Sequence, residues 1–333
     1  MIQNHAKGKK NRDGVRKKFD RRKHDMELWD IYDENKQPTG RTMKRNDWHM
    51  KPDEFHLTVL GVIARPDGTF LITKRVMTKA WAPGWWEVSG GAAQDLSTRP
   101  AYFGSSAFID FIHSLQLDIS GADISFAAPL SFDAEIKKGD IRVSDMFNLY
   151  KYENMLYVMK LSGKEIKDFL EESYYMWTNQ MKSPEDHLLW LKEKRRAGAE
   201  DRASFQNFSF NFDSAAGIIY TVDVTRPKGE KVTIVSMADG SPFRMDHIYK
   251  VALNSYRGNG GGELLTKGSG IPQEKLKERI IFSTDKDLRF YLMQYIEKKG
   301  TLDPRALNQW KFVPEEWVKP AAERDYEYLF GGK

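Results

Sequence analysis

The stretch NSYRGNGGGE, residues 254–263, contains residue types suited to holding a small ligand. Four glycines lie within five positions, at 258, 260, 261 and 262. Glycine tolerates positive φ angles and, because it lacks a Cβ atom, lets the backbone approach a bound molecule closely. The run therefore predicts a turn that packs against a ligand, and we include Gly260 and Gly261 in the predicted substrate-binding site.

Two arginines carry charge that suits a phosphate group. Arg257 lies inside the glycine-rich stretch, and Arg99 lies in STRPAYFG, residues 97–104. Arginine presents planar N–H donors that match phosphate oxygens. An isolated arginine is more simply interpreted as a solvated surface residue, and the sequence leaves both interpretations open.

The residue types that usually perform catalysis form no recognisable set. The chain has no cysteine, which excludes thiolate metal ligands and a cysteine nucleophile. Its seven histidines form no HxH or HxxxH pair, and there is no Walker loop. Asp47 and His49 form one Asp-x-His triplet in RNDWHM, which we interpret as a chance match. We therefore predict no catalytic residue, no metal ligand and no cofactor.

Hydrophobic patterning predicts mixed helices and strands from residue 26 onward. Apolar residues at 108, 111, 112 and 115 share one helical face, and KEIKDFLEESYYMW has a similar face. A hairpin is indicated around Pro66-Asp67-Gly68, and KDLRFYLMQYIEKKG is interpreted as a closing helix. Further strands are expected in ADISFAAPL, GIIYTVDVT, KVTIVSM and HIYKVALNSY. This mixture predicts an α/β or α+β domain.

Positive charge is concentrated in the first 25 residues. They contain ten Lys/Arg and three Asp/Glu, a net charge of +7, so the other 308 residues carry −2 of the chain's +5. Such a segment could contact RNA or anionic lipid, but a solvated, disordered tail is the simpler interpretation, since only Phe19 is available for base stacking. We expect no nucleic-acid partner apart from this segment.

The sequence carries no membrane signal. No run of 18 apolar residues occurs, and the first 25 residues lack the apolar core of a secretory signal. We therefore expect a cytoplasmic protein without a membrane partner.

Residues 26–94 resemble the N-terminal half of a Nudix hydrolase, through FHLTVLGVIARPDGTFLITKR and WAPGWWEVSGG. In that family a helix follows whose acidic residues hold a divalent metal against a diphosphate. Counting from Gly91, its acidic positions fall on Ser97, Ser106, Ile109 and Asp110, and its arginine position falls on Ser105. One carboxylate of four remains, and we expect Asp110 to be a helix-surface residue. The Nudix chemistry is therefore expected to be lost, and Arg75 and Glu87 are interpreted as surface or ion-pair residues.

Residues 97–333 resemble the C-terminal substrate-recognition domain of 5'-nucleotidases, in the form seen in Bacteroidetes-type sequences. The similar segments occur in the family's order and are STRPAYFGSSAFIDFIH, ADISFAAPLSFDAEIKKGDIRVSDMFNLYKYEN, LYVMKLSGKEIKDFLEESY, AGIIYTVDV and YKVALNSYRGNGGGE. The resemblance implies a mixed-sheet α/β (α+β) domain preceded by a partial Nudix-like β segment. The predicted domains are a basic disordered tail, residues 1–25, a truncated Nudix-like segment, residues 26–96, and the nucleotidase-like domain, residues 97–333.

The second resemblance implies how a nucleoside is bound. The family stacks the base between two aromatic rings and hydrogen-bonds it with an asparagine, and the matching residues are Tyr152, Asn154 and Tyr256. Without the resemblance, the two tyrosines would be interpreted as partly buried core residues.

Two departures from the family concern the sugar and the phosphate. Gly262 replaces the family's ribose-binding aspartate, with Glu263 next, and Pro129-Leu130 stands where an arginine is expected. Recognition of the sugar is therefore an open question at the level of the sequence.

Full-length members of the nucleotidase family carry a metallophosphatase domain that no segment of this sequence matches. We therefore expect a hydrolase-family protein of nucleotide catabolism that binds a nucleoside or nucleotide without intrinsic catalysis, with a separate metallophosphatase domain as its partner. The alternative is a phosphohydrolase of 5'-nucleotidase or Nudix type, with a non-standard site for Mg²⁺ or Mn²⁺. A third possibility is that the junction at residues 92–98 is accidental and the product is a structural remnant.

Overall fold

The computed structural model describes residues 28–44, 50–56, 90–141, 145–192 and 204–331. These residues belong to two compact units, the first containing 28–44 and 50–56 and the second containing the residues from 90 onward. Several predicted features lie outside the described residues, namely the tail at 1–25, the Asp47–His49 triplet, Arg75, Glu87 and most of the predicted hairpin.

The first unit contains a three-stranded antiparallel sheet in the order β2-β1-β3. Its strands are β1 (Leu28–Tyr32), β2 (Pro38–Lys44) and β3 (Phe55–His56). Asp33 closes the turn between β1 and β2, because its Oδ1 accepts the N–H groups of Asn35 at 2.9 Å and Gln37 at 2.8 Å. Ile31 and Met43 are its buried apolar side chains among the residues described.

The described strands of the second unit are mostly short. They are β4 (Gly90–Ala92), β5 (Leu96–Ser97), β6 (Ile124–Ala127), β7 (Glu135–Ile136), β8 (Gly139–Ile141), β9 (Met155–Ser162), β10 (Ser214–Ala216), β11 (Ile218–Asp223), β12 (Val232–Met237), β13 (Ile248–Asn254), β14 (Ile280–Asp287), β15 (Thr301–Leu302) and β16 (Trp310–Val313).

The described helices of this unit surround the strands. They are α1 (Ala107–Ser120), α2 (Asp145–Leu149), α3 (Gly163–Trp177), α4 (Ser255–Gly258), α5 (Leu276–Arg279), α6 (Leu288–Lys299) and α7 (Glu315–Phe330). The predicted helices at α1, α3 and α6 are confirmed, but α6 does not close the chain. The strand β16 and the helix α7 follow it, and the Ala321 and Phe330 side chains of α7 are buried.

A mixed five-stranded sheet in the order β10-β6-β13-β9-β14 forms the centre of the unit. The pair β6 and β13 is parallel, and the other neighbours are antiparallel. A second sheet, β12-β11-β16, lies in the same unit, together with the small sheets β15-β4-β8 and β5-β7. The mixed sheets and surrounding helices confirm the predicted α/β (α+β) class.

Helices cover both faces of the central sheet. Val251 and Leu253 of β13 belong to the apolar cluster that contains Phe169 of α3, whereas Ala252 between them belongs to the cluster that contains Ile112 of α1 and Leu292 of α6. Successive side chains of a strand point to opposite faces, so this alternation separates the two clusters. The middle of the sheet at β13 is therefore buried on both sides.

A capping box fixes the start of α3 at the end of β9. Ser162 Oγ accepts the Glu165 N–H at 3.2 Å, and Glu165 Oε2 accepts the Ser162 N–H at 2.7 Å. The pair satisfies two N–H groups that an uncapped helix would leave without partners. This reciprocal cap sets the position of α3 relative to β9, the strand that carries the candidate site at its other end.

A neutral histidine is buried between α1 and the central sheet. The His113 ring nitrogens lie 2.9 Å from Ser125 Oγ and 3.1 Å from Ser214 Oγ, and the residue has no solvent exposure. Burial lowers the pKa of His113 from 6.5 to about 3. The imidazole is therefore uncharged in the folded protein at every pH near neutrality.

We expect His113 to make stability depend on pH. Below pH 6.5 the unfolded chain binds a proton that the folded protein excludes down to about pH 3, so this contribution to stability is complete above pH 6.5 and is lost as the pH falls. The free energy of unfolding should fall by about 1.4 kcal/mol per pH unit from this residue alone. Urea unfolding of the wild type and His113→Gln at pH 7.5 and 5 measures the effect. Parallel pH profiles for the two proteins would contradict it.

Candidate functional site

The pairing of β9 with β13 brings the predicted binding residues to one end of the central sheet. In the antiparallel register Leu156 lies opposite Asn254, so the start of β9 adjoins the end of β13. The Met155 N–H donates to Ser255 Oγ at 3.1 Å across this end. Tyr152 and Asn154 lie just before β9, and Tyr256 lies just after β13, so both segments lie at the same end of the central sheet.

Both predicted stacking rings reach the surface. Tyr152 is 40% exposed and Tyr256 is 43% exposed, so neither belongs to the core. The Lys151 Nζ atom lies 5.7 Å from the centroid of the Tyr152 ring, and the Arg257 Cζ atom lies 5.5 Å from that of Tyr256. Two half-exposed rings beside cationic groups at one sheet edge are chemically suited to bind a planar aromatic ligand.

A buried arginine of α6, Arg289, holds the loop that carries Tyr152 through hydrogen bonds. Arg289 donates to the carbonyl oxygens of Tyr150 at 3.5 Å and Lys151 at 3.3 Å, and to Glu153 Oε1 at 3.0 Å. It is 4% exposed, and its guanidinium lies 4.2 Å from the Phe147 ring centroid. Arg289 therefore positions the 150–154 loop, a role that sequence reasoning missed because nothing distinguishes it from other helical arginines.

The Asn154 backbone is anchored while the residue remains partly exposed. Its carbonyl oxygen accepts the Leu288 N–H at 2.9 Å at the start of α6. Its side chain and that of Asn254 lie near the hydroxyl of Tyr150, and burial raises the pKa of this tyrosine. Asn154 is thus anchored through its backbone beside the buried Tyr150, two residues after the exposed Tyr152.

A small cleft of about 10 Å³, room for roughly one water molecule, opens beside this loop. Its lining is mostly apolar and comes from α1, the end of β6, α2 and the end of β13. The residues are Phe108, Ile109, Ile112, Gln116, Ala127, Ala128, Leu130, Leu149, Tyr150 and Asn254. The cleft lies in the part of the unit where Tyr150 and Asn254 adjoin the predicted site.

Arg257 is a buried structural residue, which differs from the phosphate contact that we expected. It is 1% exposed and pairs with Asp213 through two hydrogen bonds of 2.9 Å. It also donates to Phe210 O at 2.8 Å, to Asn211 Oδ1 at 3.3 Å and to Gly261 O. These five contacts use all five guanidinium N–H groups. No donor is left for a phosphate, so Arg257 instead joins the glycine run to the segment containing Phe210 and Asp213.

The glycine run packs closely against Tyr256 and Arg257, and its predicted approach to a ligand stays a prediction. A Cβ atom at Gly261 would lie 2.5 Å from the Tyr256 ring, and one at Gly262 would lie 2.2 Å from Arg257 Nη1. Gly260 and Gly262 have φ angles of +91° and +69°, which favour glycine. A side chain at 262 would collide with the buried arginine and with Asn211.

We expect Gly261→Ala to displace the Tyr256 ring, because the added methyl group would overlap the ring. The change should weaken the binding of any ligand that stacks on Tyr256 by about tenfold, with a smaller effect on folding since the ring is half exposed. Calorimetric titration with nucleosides measures the effect, and Gly270→Ala, whose Cβ position is open but which has a positive φ of +70°, controls for the cost of the substitution itself. Equal affinities for wild type and Gly261→Ala would contradict the expectation.

Arg99 is tied to a different set of partners. Its Nε donates to Asp133 Oδ1 at 2.7 Å and its Nη2 to Asp133 Oδ2 at 3.3 Å. Its guanidinium lies 5.3 Å from the ring centroid of Phe330, at the end of α7. These contacts assign Arg99 to the packing of the C-terminal helix, and its proposed role as a phosphate contact gains no support from them.

Asp110 is not the surface residue that we predicted. It is 3% exposed, accepts the Leu307 N–H at 2.7 Å and accepts a hydrogen bond from Ser105. Burial raises the pKa of its carboxyl group. Asp110 therefore ties α1 to the segment after α6. Among the described residues, no three His, Asp or Glu side chains are grouped as metal ligands would be.

Sequence reasoning missed an aromatic pair beside Tyr256. The Phe210 ring centroid lies 6.2 Å from that of Tyr256 at 87°, and the Phe208 ring stacks on Phe210 at 5.1 Å and 7°. Phe208 is 70% exposed, whereas Phe212, four residues further along the chain, is fully buried. The alternation of Phe with Asn and Ser in NFSFNF, residues 207–212, was the available signal.

Comparison with known proteins identifies the family of the chain. The family model of the 5'-nucleotidase C-terminal domain matches residues 85–267, which is more than half of the chain. The chain belongs to the 5'-nucleotidase C-terminal domain family. The match includes the two tyrosines predicted to stack, Asn154 and the glycine run. The boundary of the domain at residue 97 remains a prediction.

Two curated relatives reflect the two resemblances seen in the sequence. The trifunctional nucleotide phosphoesterase protein YfkN of Bacillus subtilis is 29% identical over 225 residues, 61% of this chain and 14% of that protein. An uncharacterized Nudix hydrolase, lmo0368, of Listeria monocytogenes is 29% identical over 162 residues, 47% of this chain and 94% of that protein. The chain thus spans a small part of the phosphoesterase and is similar to nearly the whole Nudix protein.

The fold also has a counterpart among solved structures. A putative 5'-nucleotidase from Staphylococcus aureus, solved in complex with alpha-ketoglutarate, superposes with a TM-score of 0.52 and 20% identity. The superposition covers 68% of this chain and 41% of the Staphylococcus chain. At this identity the likeness shows the fold of the C-terminal domain. No helix in the described part of the chain has the length and apolarity needed to span a bilayer.

Proposed function

We propose that this 5'-nucleotidase C-terminal domain protein binds a nucleoside or nucleotide by stacking its base between Tyr152 and Tyr256. The observation that carries the proposal is the β9–β13 register, which puts two half-exposed tyrosines at the same edge of the sheet. Every nucleobase has a π-face, so two such rings suit a base whatever its identity. The names of the relatives, a nucleotide phosphoesterase and 5'-nucleotidases, support a ligand of this class.

Asn154 supplies the hydrogen bond that complements stacking. An amide side chain offers one acceptor and two N–H donors, which match the edge of a base. The loop is held by Arg289 and by the Leu288 N–H, so the amide is presented without a large loss of loop entropy on binding. Gly261 keeps the backbone close to the Tyr256 ring, and the adjacent Gly260 packs against the Gln273 side chain.

We also propose that the protein recognises its ligand and leaves phosphate hydrolysis to a separate metallophosphatase domain. Three of the four acidic positions of the Nudix helix hold Ser97, Ser106 and Ile109, and the fourth, Asp110, is buried and hydrogen-bonded. The matched part of the chain is the C-terminal domain of the nucleotidase family. The competing proposal is a phosphohydrolase with a non-standard Mg²⁺ or Mn²⁺ site.

Substitution of each stacking tyrosine tests the binding proposal. Tyr152→Ala and Tyr256→Ala should each weaken nucleoside affinity by roughly 10- to 100-fold, because each removes one stacking face worth about 1–3 kcal/mol. Tyr152→Phe and Tyr256→Phe should bind nearly as well as the wild type, since the ring is retained. Isothermal titration with adenosine, guanosine, cytidine and uridine gives the affinities.

Tyr175→Ala is the matched control for these variants. Tyr175 is 37% exposed on α3, where it lies beside Trp190 and Lys228. Its replacement should leave nucleoside affinity unchanged. Wild-type protein that binds none of the four nucleosides, or alanine variants at 152 and 256 that bind like the wild type, would refute the proposal.

Phosphate release separates recognition from catalysis. The full chain is incubated with nucleoside mono-, di- and triphosphates and nucleotide sugars, with Mg²⁺, Mn²⁺ or Zn²⁺, and with pyrophosphatase added to reveal diphosphate products. We expect no turnover above background in a preparation that binds nucleosides. Metal-dependent turnover that persists through repurification would establish the phosphohydrolase instead.

A further inference from the structure

Phe208 and Phe210 form an exposed aromatic surface, which we call the phenylalanine platform, next to the proposed base-binding site. Their rings are parallel within 7° and their centroids lie 5.1 Å apart. Phe208 is 70% exposed, which is unusual for a large apolar side chain. The Phe210 ring in turn meets the Tyr256 ring at 6.2 Å, so the platform continues directly from the stacking residue.

The platform is rigidly joined to Tyr256 through buried contacts. Arg257, the next residue after Tyr256, donates to Phe210 O at 2.8 Å and to Asn211 Oδ1 at 3.3 Å. Phe212, two residues beyond Phe210, is fully buried and stacks on Trp177 at 5.5 Å and 3°. The segment therefore cannot turn its exposed rings inward without breaking a buried ion pair and a core contact. The exposed position of Phe208 is fixed by the fold.

The chemistry of the platform fits a nucleobase better than a protein surface. It is small and purely aromatic, and partly exposed or exposed polar residues border it at Gln206, Asn207 and Asn211. Protein interfaces need a much larger continuous apolar area. Successive bases of a strand, in contrast, stack on successive aromatic side chains, and each contact is tolerant of base identity. The spacing from Tyr256 to Phe210 and on to Phe208 proceeds in two short steps of 6.2 and 5.1 Å.

We infer that the ligand of this protein contains two bases, and that Phe208 and Phe210 stack the second base while Tyr152 and Tyr256 hold the first. This inference rests on the proposed function, since the platform is a second subsite of the same site. It assigns dinucleotides, with one internucleotide phosphate, as the preferred ligand class over mononucleotides.

The test compares mononucleotides with matched dinucleotides on the full chain. For each of adenine, guanine, cytosine and uracil, isothermal titration gives the affinity of the 5'-monophosphate and of the 3',5'-linked homodinucleotide. The wild type should bind the dinucleotide about tenfold more tightly. Phe208→Ala should remove this advantage and leave the mononucleotide affinity unchanged, whereas Phe208→Trp should retain it. Because Phe208 is 70% exposed, these variants should fold normally, which circular dichroism checks.

Phe282→Ala is the matched control, since Phe282 is 44% exposed on β14, within the central sheet, and should not alter either affinity. Mononucleotide binding that depends on Tyr256, together with equal dinucleotide affinity in the wild type, would overturn the second subsite and leave the proposed function standing. Absence of binding to both ligand types would overturn both. A dinucleotide advantage that persists in Phe208→Ala would show that the second base lies elsewhere and would overturn the platform.

Discussion

Arg257→Met should lower the free energy of unfolding by about 3–5 kcal/mol, because it leaves a buried carboxylate without its counter-charge. Arg257 and Asp213 are 1% and 3% exposed, and their two hydrogen bonds are 2.9 Å each. The same change removes the links from Arg257 to Phe210 and Gly261, so nucleoside affinity should fall even under conditions in which the variant is folded. Urea unfolding and calorimetric titration measure the two effects.

The double variant Arg257→Met/Asp213→Leu distinguishes the buried charge from general loss of packing. Removing both charged groups leaves no unpaired ion, so the double variant should be more stable than Arg257→Met alone. Nucleoside affinity should stay low in the double variant, because the links to Phe210 and Gly261 are still missing. The single variant Asp213→Leu completes the cycle. If the double variant loses as much unfolding free energy as Arg257→Met and Asp213→Leu lose in sum, the two charges do not act as a unit.

Trp177→Ala should also destabilise the fold by about 3–5 kcal/mol, through loss of buried aromatic surface and the cavity left behind. Trp177 is 1% exposed at the end of α3, and its Nε1 donates to Tyr102 O at 3.1 Å. Its ring stacks on Tyr174 at 5.0 Å and on Phe212 at 5.5 Å. Because Phe212 anchors the segment that carries the phenylalanine platform, dinucleotide affinity should fall as well. Chemical denaturation gives the stability change.

Tyr175→Ala, two residues away on the same helix but 37% exposed, should cost less than about 1 kcal/mol. Trp177→Phe should lie between the two, because it keeps a ring but loses the hydrogen bond to Tyr102. If Trp177→Ala lowers the free energy of unfolding no more than Tyr175→Ala does, Trp177 does not stabilise the core as we infer.

Local patterns were sufficient to predict the main elements of the second unit. The apolar residues at 108, 111, 112 and 115 are all buried on α1, and Ile166, Phe169, Leu170 and Tyr174 are all buried on α3. Helical periodicity places such residues on one face whatever the rest of the chain does, so the pattern is readable from sequence. The elements after α6 were missed, because β16 is four residues long and pairs with β11 about 90 positions earlier.

Exposure of the stacking tyrosines and burial of the arginine beside them could not be read from the sequence. Tyr256 and Arg257 are adjacent, yet one is 43% exposed and the other 1% exposed. The difference depends on Asp213, which lies 44 positions away and reaches Arg257 only in the folded chain. Charge alone favoured a phosphate contact, whereas the tertiary structure supplies an internal acceptor for every guanidinium N–H.

The sequence by itself determined the class of the domain, its family and the residue types of the proposed base-binding site, because these depend on local periodicity and on the order of motifs along the chain. Only the tertiary structure decided which of those residues are exposed and which are buried. Strand register brings Tyr152 and Asn154 to the end of the sheet where Tyr256 lies. The buried Asp213 and the partly buried Asp133 pair with the two arginines. The physical reason is that exposure and hydrogen-bond partners depend on contacts between residues far apart in sequence, which no local pattern encodes.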